Sequence, residues 1–132
     1  MMIQGVAQLN LTLAWIWIVL GTILGMILGS FFHREEFLNG YGSFGRRLYR
    51  LAHVAFFGLA ILNILFVFTA RVLPTPTAWV AVASWSFVAG AFSMPTCCIL
   101  VAHQPHLRNL FAIPVGSVLL GSFLTLREVW FL

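Results

Sequence analysis

The sequence contains no aspartate and no lysine. Without aspartate there is no serine–histidine–aspartate set, and no HExxH pair of histidines occurs, so an autonomous hydrolase is not expected. Charge of either sign is scarce. Arginine supplies all 7 cations, glutamate all 3 anions, and charged residues make up 8% of the chain, against about 25% in a soluble domain. A chain that poor in charge and 61% hydrophobic would expose large apolar patches in water. Its expected solvent is the lipid bilayer. The 2 cysteines are adjacent, Cys97 and Cys98, an arrangement that strains disulfide geometry and argues against a disulfide framework.

What is present is apolar length. Four segments, at about 13–32, 51–73, 78–102 and 110–126, approach or exceed the span of a hydrocarbon core. Backbone polar groups in lipid must be satisfied within the segment, so these segments are expected to be helices. The joints carry turn chemistry: "NGYGSFG" after the first segment, "PTPT" after the second and "HQPH" after the third. Short joints predict an all-α integral membrane fold, a single domain over residues 1–132 built as an antiparallel up-down-up-down four-helix bundle. The N-terminus lacks the positive region of a cleaved signal peptide, so the first segment is expected to be retained. Asn10 opens an N-L-T sequon just before that segment, read as a chance match.

The net charge of +4 belongs to arginines lying between apolar runs. It reads as topology, and no nucleic-acid partner is expected. Arg34, Arg46, Arg47, Arg50 and Arg108 fall on one side, and Arg71 and Arg127 on the other. The first side is expected in the cytoplasm, with both termini outside, in a bacterial inner membrane. Arg46, Arg47 and Arg50 are candidates to hold anionic lipid headgroups. Trp15, Trp17, Trp79 and Trp130 are expected at the outer interface and Tyr41 and Tyr49 at the inner one.

Small residues mark packing faces. Gly21, Gly25 and Gly29, four apart, line one face of the first helix and suit close approach of another helix. Gly90, with Ser86, Ser93 and Cys97, forms a similar stripe on the third. Asn63, midway along the second, needs a partner, expected to be a serine or threonine of a neighbouring helix. Gly40, Gly42 and Gly45 match G-x-G-x-x-G, but no strand precedes them, so a nucleotide site is not expected.

The candidate site is a set of histidines. His33, His53, His103 and His106 all fall near the cytoplasmic ends of the segments. Imidazole is a common metal ligand and the axial ligand of b-type heme. His53 and His103, on facing helices, are the candidate heme ligands, with Phe56 and Phe57 nearby to wall a porphyrin. Glu36, Met94, Cys97 and Cys98 offer an alternative zinc or copper site with the histidines. Cys97 and Cys98 point about 100° apart on a helix, however, which disfavours one shared ion. The expected function is a small non-catalytic integral-membrane subunit or accessory protein of a larger complex, in an electron-transfer setting; the histidine cluster is a candidate heme b site, set against the plainer reading of histidines hydrogen-bonding at headgroup depth with no cofactor. The partners expected are the bilayer and other subunits, or further copies of the chain. The alternatives are a copper- or zinc-binding carrier or metallocentre assembly factor, and a small oligomeric transporter using the Asn63 region and the serine face.

Overall fold

The computed structural model describes residues 2–132, with side chains from residue 5 onward. Four long helices carry the chain: α1 (Met2–Phe32), α2 (Phe44–Val72), α3 (Trp79–His103) and α4 (Ala112–Trp130). All four are long and apolar enough to cross a membrane. Consecutive helices run antiparallel and pack most extensively, and α1 also reaches α3. A 3-10 turn (Phe37–Asn39) lies between α1 and α2, and a second (Pro105–Phe111) leads into α4.

Helices α1 and α2 begin well before their apolar segments. Hydropathy marks what lipid must cover, whereas helix ends are set by caps. α2 begins at Phe44 because the hydroxyl of Ser43 accepts from the backbone N–H of Arg46 at 3.1 Å and donates to the Leu38 carbonyl at 2.5 Å. α1 has 31 residues, about 46 Å at 1.5 Å per residue, well beyond a core of about 30 Å. Asn10 therefore lies inside a helix and not before one.

Two apolar clusters hold the bundle. One joins α1, α2 and α3 through Leu13, Ala14, Trp17, Phe56, Leu59 and Ala91. The other joins α2, α3 and α4 through Phe66, Ala83, Phe87 and Leu124. Between them sits a sealed polar group. Asn10 Nδ2 donates to Asn63 Oδ1 at 2.7 Å, and Ser84 Oγ donates to Asn10 Oδ1 at 2.5 Å. Asn63 Nδ2 turns back to the Leu59 carbonyl at 2.8 Å, and all three residues are fully buried. The partner of Asn63 is thus another asparagine, with the serine one link further on. Each polar atom is matched, which is the condition for tolerating such a group in hydrocarbon.

A second tie between α1 and α3 repairs a break in the helix ladder. Pro95 lies inside α3 and has no N–H to offer the carbonyl of Ala91, four residues back. Trp17 Nε1 donates to that carbonyl at 3.0 Å. Its ring stacks edge-on against Phe92, with centroids 4.4 Å apart. Trp17 stands midway along α1 and is buried inside the bundle, whereas Trp15, Trp79 and Trp130 are exposed. Lower down, Pro114 lies in the first turn of α4, and the Cys97 thiol approaches the Leu110 carbonyl at 3.6 Å, an oxygen that the Ala112 N–H also reaches.

Candidate functional site

The end of the bundle that holds the 33–43 connection is organised by Arg46. Its guanidinium donates to the Phe32 carbonyl, and to the Arg34 carbonyl at 3.4 Å, supplying donors to the last turn of α1. It lies 3.9 Å from the Tyr41 ring centroid and 4.6 Å from that of Phe32. At 1% exposure Arg46 has no surface to offer a lipid headgroup, which corrects the expectation for this residue. Arg47 and Arg50 are exposed, and Arg50 also reaches the Tyr41 carbonyl at 3.4 Å. The connection is a fixed strap: Leu38 and Asn39 take positive φ, and Phe37 stacks on Phe31 with centroids 5.4 Å apart.

The four histidines are not assembled at one point. His33 and His106 are exposed on the strap and on the α3–α4 link. His103 ends α3, where its Nε2 meets the Tyr49 hydroxyl at 2.8 Å. His53 lies nine residues into α2, about 13 Å from the helix start, because α2 begins a full two turns before its apolar segment. The His53 ring turns toward α1, where a Cβ on Gly25 would stand 2.6 Å from its Cε1. It packs edge-on against Phe57, with centroids 5.3 Å apart. Its Nδ1 is buried with no hydrogen-bond partner.

No three His, Cys, Asp or Glu side chains converge to hold a metal ion among the described residues. The expected histidine cluster is therefore corrected. The soft ligands are dispersed too: Met94 packs against the core cluster of α1, α2 and α3, Cys97 faces the Leu110 carbonyl, Cys98 is fully buried, and Glu36 is exposed at the start of the strap turn.

The glycines divide by role. Gly21 lies against Phe56 and Phe57, where a Cβ would sit 3.0 Å from the nearest ring atom, and Gly90 admits Val118, whose Cγ2 would be 2.6 Å from a Cβ. Gly25 admits His53. Gly29 has open space beyond it and is exposed. Gly121, not singled out in the sequence, takes the same part as Gly90, with the Ala83 carbonyl 3.2 Å from a Cβ there. The hydroxyls of the α3 stripe turn back onto their own helix. Ser86, Ser93 and Thr96 each donate to the carbonyl four residues back in their own helix.

An apolar groove of about 240 Å³ runs beside His53. Its floor is Tyr49, Ala52, His53 and Phe56 of α2; its walls are Leu24 to Phe31 of α1 and Ile99 of α3, and Phe37 closes the rim. At the opposite end of the bundle, Glu128 accepts from the Thr77 hydroxyl at 2.6 Å and from Arg127 at 3.1 Å. This ties α4 to the α2–α3 link, so Glu128 does more than pair with its neighbour.

No family model, no curated protein and no solved structure matches this chain. The functional reading rests on its own residues.

Proposed function

We propose that this chain is a small, non-catalytic integral-membrane subunit or accessory protein of a larger membrane complex, with the 33–43 strap and the α3–α4 link in the cytoplasm. The observation that carries the reading is the contrast between interior and exterior. Inside, the polar groups of Asn10, Asn63, Ser84 and Trp17 are spent on one another and on the backbone. Outside, Gly29 of α1 and Gly116 of α4 are exposed with nothing within 4 Å of a Cβ, a surface that another helix can approach closely. The orientation follows the five arginines on one side against two on the other.

Photoreactive residues at Gly29 and Gly116 test this in intact membranes. A crosslinked product of one defined mass from either site supports the reading, with Gly21 as the buried control. Lipid adducts alone from both sites refute it. Reporter fusions within the strap read the orientation: an external strap overturns that part.

The geometry lends little to a bis-histidine heme. His103 Nε2 is engaged by Tyr49, His53 is turned onto Gly25, and the groove of about 240 Å³ lies below the roughly 300–1,000 Å³ of ordinary ligand pockets. The absorption spectrum of the natively extracted protein decides this independently. A Soret band lost in His53→Ala and in His103→Ala restores the heme reading.

A further inference from the structure

We propose that the groove between α1 and α3 is a site for one anionic phospholipid, an acyl chain lying in the groove and the phosphate held at its mouth. α1 and α3 are tied at Asn10–Ser84 and at Trp17–Ala91. Below the second tie the groove lies between them, on the floor of α2. From Leu24 to Phe31 it runs seven residues along α1, about 10 Å, ending at the strap. The two polar side chains on its floor direct their polar atoms elsewhere: the Tyr49 hydroxyl to His103, and the Cε1 corner of His53, with a nitrogen on each side of it, to the Gly25 wall. What remains is a hydrocarbon surface. It suits an acyl chain and offers nothing to orient a polar ring.

Selectivity comes from the mouth. The Arg34 guanidinium sits 5.4 Å from the ring centroid of Phe31, the last groove residue on α1. Arg34 is exposed, and no ion pair engages it among the described residues. Its backbone is held in place by the buried Arg46, which donates to its carbonyl. The Tyr49–His103 pair stands on the α2 and α3 side of the same mouth. Arg34, whose exposed neighbours Glu35 and Glu36 make no ion pair with it, and one hydroxyl–imidazole pair beside an apolar groove match a phosphate with its chain attached.

The test uses the full chain, delipidated in mild detergent and titrated with phosphatidylglycerol or phosphatidylcholine of the same chains, followed by native mass spectrometry. The expected result is about fivefold tighter retention of phosphatidylglycerol, the effect of one cation near a surface. Arg34→Gln should abolish the preference and Arg34→Lys keep most of it. Ile99→Trp, at a position 39% exposed, should fill the groove and lose retention of both lipids. Circular dichroism confirms that each variant remains helical. Equal retention of the two lipids by the unaltered chain overturns the proposal. So does a preference unchanged in Arg34→Gln, or retention unchanged in Ile99→Trp.

Discussion

Replacing Trp17 with phenylalanine removes one hydrogen bond together with part of the indole's volume. An aromatic ring remains beside Phe56 and Phe92, whereas the N–H that reaches the Ala91 carbonyl at 3.0 Å is lost. In an ordinary helix that carbonyl would still hold its intrahelical donor. Here it does not, because the donor position is Pro95. The carbonyl is stranded in the bundle interior, and the cost is that of an unsatisfied buried group, about 1–3 kcal/mol. That exceeds the average of about 0.6 kcal/mol for interhelical hydrogen bonds in membranes, where alternative partners usually exist. The decisive comparison is the same change in a Pro95→Ala background. An alanine N–H returns the intrahelical bond, so Trp17→Phe should then cost about 1 kcal/mol less, since the volume lost is the same in both backgrounds. Reversible unfolding in mixed detergent micelles, followed by circular dichroism, measures all four corners of the cycle. Equal costs in the two backgrounds would refute the assignment of the indole to the proline-freed carbonyl.

The same reasoning extends to three other places. Asn10→Ala removes the partner of both Asn63 and Ser84 and should destabilise by about 1–3 kcal/mol; in the same unfolding assay Ser84→Ala should cost less, and an equal cost would show that the asparagine pair is not the centre of the group. Arg46→Gln should free the strap, seen as faster proteolysis between residues 33 and 43 with the helical signal unchanged; unchanged cleavage would mean that Arg46 does not hold it. Gly25→Ala drives a methyl into the His53 ring and should cost about 1–3 kcal/mol by overpacking. Most of that cost should disappear when His53→Ala is added, and strictly additive effects would contradict the contact.

The apolar segments read directly as four antiparallel helices, because in lipid length and hydropathy leave few alternatives. The site was less legible, for three physical reasons. Helix ends are set by capping and not by hydropathy, so α2 begins at Phe44 and carries His53 away from the rim where its segment placed it. Lateral direction depends on how helices cross: Trp17 looked interfacial by its position and is interior by its packing. A cation's role depends on what surrounds it, and Arg46 differs from Arg47 only in facing the open carbonyls of α1. The Trp17–Pro95 pairing did leave a trace in the sequence. A proline within an apolar run implies a free carbonyl four residues earlier, and a buried donor to meet it. The divergence of Cys97 and Cys98 followed from helical geometry alone, since neighbours about 100° apart do not face one ion.

The central claim, that the chain works as one part of a larger membrane assembly, is tested most directly by its native mass after gentle extraction from the membrane in which it is made. The chain is expected to migrate with larger partners in fixed proportion and to lose stability when separated from them. A stable, monodisperse chain found alone in the native extract would contradict the claim.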